Sequence, residues 1–221
     1  MNDVLAIARL LRLASPALPI GAYAWSGGLE GAIDEGVVRD AASAGAWLDD
    51  ALTLVQARWD AAIVWRLLTR PEARAAWNER YLASRETREL RAETLQIGQA
   101  LTGLLGSLGH AIEATAATGA SGSITFPCAW ALAADAWRIA PEPALAAWLT
   151  AFVEGQLAVL MKALPLGQVA AQRLFDALLP TLGMAAEVAR SIADEDLSSS
   201  TPGLAIASAR HEHQYSRLFR S

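Results

Sequence analysis

Two histidines flank a carboxylate at His211-Glu212-His213, and no other stretch of the 221 residues brings histidines together. A zinc-hydrolase helix needs its two histidines four residues apart so that both face one way. At a spacing of two they diverge on a helix and converge only on an extended strand. The remaining histidine, His110, has no nucleophile or acid in motif spacing and reads as a hydrogen-bonded core residue. A phosphate-cradling loop would end in Gly-Lys-Ser/Thr, with the lysine neutralising phosphate. Lys162, the only lysine, sits in the apolar run Leu160-Met161-Lys162-Ala163-Leu164, and the loop Thr118 to Ser123 has glycines without a lysine. A Gly-x-Ser-x-Gly elbow is also lacking. Cys128 lies in Phe126-Pro127-Cys128-Ala129-Trp130 and reads as a buried, inert thiol. A chain with none of these constellations is a poor candidate for an enzyme.

The elements that must position these residues are helical. Ala, Leu and Glu dominate and no stretch alternates apolar with polar for strand length, so the expectation is an all-α, single-domain multi-helix bundle. One long helix is predicted from the cap Asp40 to about Thr69, with Leu48, Leu52, Val55, Trp59, Ile63 and Leu67 on its buried side. Another spans Pro143 to Leu164, with Leu145, Trp148, Leu149, Phe152, Leu157, Leu160, Met161 and Leu164 as its core stripe. Pro165 and Pro180 are expected to divide the rest into helices over about 166–179 and 181–194. Gly103, Gly106 and Gly109 form a ridge of missing side chains, read as internal helix packing, with a dimer seam as the alternative. The tryptophans are read as packing residues.

The ends are more distinctive. Ser15 to Glu30 interrupts the first helix with Pro16, Pro19, Gly21, Gly27 and Gly28, a rigid shaped loop leading into a helix. Near the other end, Thr201-Pro202 is a cap followed by proline at the first helical position. From Leu204 onward, Arg210, Arg217 and Arg220 face one acid, Glu212, in a chain whose net charge is −5. Tyr215, Leu218 and Phe219 would share one face of a tail helix. Two readings stand: docking on a partner, which the aromatic and arginine composition favours, and folding back on the chain's own acidic body. The expected layout is therefore an all-helical domain over 1–195 and a flexible partner-binding tail over 196–221.

Hydrophobic residues make up 53% and charged residues 19% of the chain, which excludes disorder throughout and implies either a large core or apolar surface that waits for a partner. The basic residues form no stripe, so nucleic acid is not an expected partner. The charge-free runs Thr94–Ile112 and Ala114–Ala134 are interrupted by polar residues and Pro, so no membrane span is expected. An acidic N-terminus and a lone cysteine fit a cytoplasmic protein.

The two ends together resemble the UreF family of urease accessory proteins. The resemblance rests on Leu13-Ala14-Ser15-Pro16-Ala17-Leu18-Pro19-Ile20-Gly21, on Leu164-Pro165-Leu166-Gly167-Gln168, and on Ser199-Ser200-Thr201-Pro202-Gly203-Leu204 running through Arg210-His211-Glu212 to Gln214-Tyr215-Ser216-Arg217-Leu218-Phe219-Arg220-Ser221. Ser15, Pro16, Pro19, Gly21, Gly28, Pro165 and Gly167 are its structural motif positions. Ala22-Tyr23-Ala24-Trp25 departs from the family pattern. The resemblance implies an all-α, dimeric, non-catalytic scaffold that binds UreD (also called UreH) and with it recruits the GTPase UreG, so that nickel reaches the urease apoprotein. No cofactor is then bound stably, because nickel and GTP are handled by partners. It implies a UreD contact through Pro202, Gly203, Arg210, His211, Gln214, Tyr215, Arg217, Leu218 and Phe219. The expected UreG contact involves Lys162, Gln168 and Gln172. His211 and His213 are candidate nickel contacts, weak ones without a supporting shell. The alternatives are a helical adaptor of another metalloenzyme assembly system and a small helical enzyme.

Overall fold

Asp40 starts the longest continuous helical path in the molecule. Its carboxylate accepts from the Ser43 N–H at 2.8 Å, and the Ser43 hydroxyl accepts from the Asp40 N–H at 3.1 Å, a reciprocal capping box. The computed structural model describes residues 2–110 and 117–220; Ser221 and the parts of the two charge-free runs within 111–116 lie outside them. Among these residues there is helix and no strand. In chain order the helices are α1 (Asn2–Leu13), α2 (Leu29–Asp34), α3 (Ala41–Asp50), α4 (Ala61–Thr69), α5 (Arg74–Ala83), α6 (Arg88–Ser107), α7 (Phe126–Ala136), α8 (Pro141–Ala163), α9 (Gln168–Ser191) and α10 (Pro202–His211).

Between α3 and α4 the chain stays helical but widens to π geometry over Ala51–Asp60. The expected helix from Asp40 to Thr69 is thus present. Its wide central turns carry two polar residues, Gln56 and Asp60, into the interior beside Leu52 and Trp59. α4 is the hub, packed on α5, α7, α8 and α9, with Ile63, Val64 and Leu67 buried completely. α7 is buried nearly all round because its residues are small: Cys128, Ala129, Ala131, Ala133 and Ala134 let neighbouring backbones come close. Gly98 of α6 allows the same approach, since a Cβ there would collide with the Ile124 carbonyl.

α8 ends where Leu164 turns extended before Pro165, as a residue preceding proline prefers. It is long and apolar enough to cross a membrane by length and composition, yet 56% of that stretch is buried inside the protein, as in a core helix. Met161, expected on its core stripe, is exposed instead.

Two helix-level expectations are corrected. Pro180 does not end a helix: α9 runs through it to Ser191. Pro180 and Asp176, whose carbonyl loses its N–H partner, both lie on the solvent side, while Leu178, Thr181, Ala185 and Ala189 hold the helix to the core. Among the described residues the Gly103/Gly106/Gly109 ridge is not an internal packing surface, because a Cβ at any of the three would meet none of their atoms within 4 Å. Gly109 serves the turn after α6 with φ +79°. The tryptophans act in packing as expected, and His110 Nε2 accepts from the Trp137 indole N–H at 3.0 Å.

Apolar side chains do remain outside. Val4, Leu5, Ile7 and Leu11 of α1 and Val169, Leu179, Met184 and Val188 of α9 are exposed, as the excess of apolar residues in the sequence foreshadows.

Candidate functional site: the clamped C-terminal segment

The tail lies on the body. α10 packs against α2, and two glycines make room: a Cβ on Gly31 would stand 2.5 Å from the Ala207 carbonyl oxygen, and one on Gly28 would stand 3.1 Å from Leu204. Gly28 also has φ +88°, a left-handed conformation that glycine adopts freely. Pro202 occupies the first turn of α10 as expected, although Thr201 makes no side-chain cap.

Past α10 the chain carries on in turns. His211, its last helical residue, is fully buried between two carboxylates: Nδ1 is 2.8 Å from Glu89 and Nε2 is 3.1 Å from Glu30. A proton on either ring nitrogen lets that nitrogen donate to the carboxylate it faces. Glu30 also accepts the backbone N–H groups of Leu218 at 2.7 Å and Phe219 at 2.9 Å. Glu89 accepts from Arg217 Nη1 at 2.8 Å. Two buried carboxylates of the body thus meet an imidazole, a guanidinium and two amides of the tail.

The rim adds further contacts. Arg210 pairs with Glu35, the Arg88 N–H donates to Glu212 at 2.9 Å, and Arg220 Nη1 donates to Gln96 at 3.0 Å. The Arg220 N–H donates to the Ala24 carbonyl at 2.9 Å, which ties the tail to the loop after α1. Lys162 Nζ donates to the Leu218 carbonyl at 3.2 Å and sits 4.6 Å from the centre of the Phe219 ring.

The sequence expectations are therefore revised at several points. The segment is a docked clamp and not a free flexible arm, because the opposite charges of tail and body meet here. Tyr215, Leu218 and Phe219 form no single helical knob: Phe219 is buried, Leu218 is half-exposed and Tyr215 is 106% exposed. His211 and His213 are not brought together as metal ligands, since the His211 ring is enclosed by carboxylates while His213 is exposed. Lys162 serves the tail clamp, whereas Gln168 and Gln172 stand exposed at the start of α9. Pro202, Gly203, Arg210 and Arg217 are exposed around the clamp, and Gln214 Nε2 donates to the Ser216 carbonyl at 2.9 Å. Glu30 and Glu89 were not singled out from the sequence. Their one signal there is charge: an acidic body facing a basic tail.

Cys128 fits its expected inertness, for burial pushes its thiol up to about 12.

The UreF family model matches residues 38–179. Beyond those limits, a protein of Ectopseudomonas mendocina named Urease accessory protein UreF is 52% identical, with 96% of this chain and 97% of the relative covered. The chain belongs to the UreF family. A relative of the same name in Nitrosococcus oceani is 50% identical over 96% of the chain and 97% of its own length. Another, from an Azoarcus species, is 47% identical and covers 100% of the chain and 97% of its own length. Those three alignments span nearly the whole of this UreF-family chain, so they reach into the two ends that meet in the clamp.

Proposed function

We propose that this chain is a non-catalytic adaptor in urease maturation, and that its clamped tail is where UreD (UreH) docks. Kinship over nearly the full length to proteins named Urease accessory protein UreF carries the reading. The clamp supports the docking assignment. It fixes the backbone of 217–220 while leaving Tyr215, Leu218 and Ile206 facing solvent, the aromatic and aliphatic side chains a partner pocket takes. In this reading the pair then recruits UreG, with Gln168 and Gln172 on the candidate contact face. Nickel and GTP are handled by the partners on the way to the urease apoprotein, in the cytoplasm. A second copy of the chain is a further partner, making a homodimer.

The test is size-exclusion chromatography with light scattering on full-length chain mixed with its cognate UreD, against a version ending at Gly203 and against the double variant Tyr215→Ala, Leu218→Ala. Complex formation by the full-length chain and loss of it in both altered forms supports the assignment. Equal binding by the double variant removes the tail from the interface, and no binding by the full-length chain removes the adaptor reading.

A further inference from the structure

A cavity of about 170 Å³ lies among the π-helical segment, α6, α7 and α8, beside the loop that follows α1 and with Leu204 of α10 at its edge. Phe126, Trp130 and Trp148 form one wall as a mutually packed set, their ring centres 4.8 to 5.9 Å apart. The two indoles are held in place, because the Trp130 N–H donates to the Ala144 carbonyl at 3.0 Å and the Trp148 N–H donates to Gln56 at 2.8 Å. An apolar cavity of roughly 150 Å³ is enough for a benzene-sized ring.

Two cavity-lining residues each carry a buried polar atom with no hydrogen-bond partner among the described residues, the Tyr23 hydroxyl and Arg85 Nε. The other Arg85 nitrogens are engaged: Nη1 donates to the Tyr81 hydroxyl and Nη2 to Asp60, each at 3.2 Å. Arg85 Nε is a donor only, and burial followed by the charge of Glu154 pushes the Tyr23 phenol up, which keeps its proton in place. Both atoms therefore ask for an acceptor. The lining carries Asp60 and Glu93 against Arg85, one acid in excess, which favours a neutral ligand over an anion. Glu93 and Asp60 on the wall repel a carboxylate, and the Asp60 oxygens, held by Arg85 and Gln56, are not open to a cation.

We propose that this cavity binds a neutral, ring-sized organic molecule carrying a hydrogen-bond acceptor, with the Tyr23 hydroxyl and Arg85 Nε as its donors. The rings supply a preformed apolar slot and the donors set the orientation. This site is separate from the tail clamp and does not depend on the adaptor reading.

Benzamide is the probe, titrated into the full-length chain by calorimetry with tryptophan fluorescence as a second readout; toluene offers the ring without the acceptor, and benzoate the acceptor with a charge. The expected result is saturable binding of one benzamide per chain, with toluene and benzoate about tenfold weaker or worse. Tyr23→Phe removes most of the preference for benzamide over toluene while leaving toluene binding as it was. Gly155→Leu grows a side chain from a cavity-lining position where a Cβ meets nothing within 4 Å among the described residues. It should abolish benzamide binding with no fall in thermal midpoint, and Gly155→Val serves if that variant fails to fold. Absence of saturable benzamide binding at about 10 mM overturns the proposal. So does benzamide binding that a folded Gly155 variant retains, while an unchanged preference in Tyr23→Phe overturns the donor assignment.

Discussion

Glu30→Gln is the sharpest probe of the clamp, because one carboxylate serves three tail groups. Its two oxygens accept from Leu218 N–H at 2.7 Å and Phe219 N–H at 2.9 Å, and one of them lies 3.1 Å from His211 Nε2. An amide of the same shape keeps one acceptor and turns an NH₂ toward at least one donor. A hydrogen bond to a charged partner contributes about 2 kcal/mol, so losing one to two of them weakens docking by roughly 2–4 kcal/mol. The tail can rehydrate once released, so the loss stays local and the helices beneath keep their own core. At about 1.36 kcal/mol per tenfold, the opening equilibrium of residues 212–220 rises about 30- to 1,000-fold. Hydrogen exchange read by mass spectrometry checks this: amides at Leu218 and Phe219 should lose protection by that factor while α4 and α7 stay unchanged. Unchanged protection at Phe219 would refute the reasoning, as would uniform loss across the core.

Other expectations follow from the same contacts. Pro180→Ala restores a helix hydrogen bond at an exposed position and should raise stability by about 1–3 kcal/mol, seen as a higher urea midpoint with unchanged slope. Asp194 is raised by burial, but hydrogen bonds from Arg70 and Arg66 outweigh this and hold its carboxyl below the usual value. A depressed folded value means stability that is present above about pH 4 and lost as the pH falls through it. Melts between neutral and acid pH should therefore decline less steeply in Asp194→Asn than in the parent. Cys128, with its thiol pushed up to about 12 and buried, should resist a disulfide reagent at mildly alkaline pH and react fully once denatured.

Composition and short-range pattern were enough for the all-helical class, the cap at Asp40, the stop at Pro165, the tryptophan core and the family resemblance. Each of these is local: a cap and its partner lie three residues apart, and a helical stripe repeats within one or two turns. The sequence also held the charge contrast between tail and body without saying which carboxylates would meet the arginines. Tertiary structure decided the rest. Glu30 and His211 are 181 residues apart and Glu89 and His211 are 122 apart, and nothing in either neighbourhood marks them as partners until α2 and α10 close over Gly28 and Gly31. The passage of α9 through Pro180 was decided in the same way, by burial on one face and water on the other. So was the π-helical widening that turns Gln56 and Asp60 inward, where Trp148 and Arg85 from distant helices and loops supply their hydrogen bonds. A buried polar group is tolerated only when its partner arrives, and partners that come from far along the chain leave no local trace.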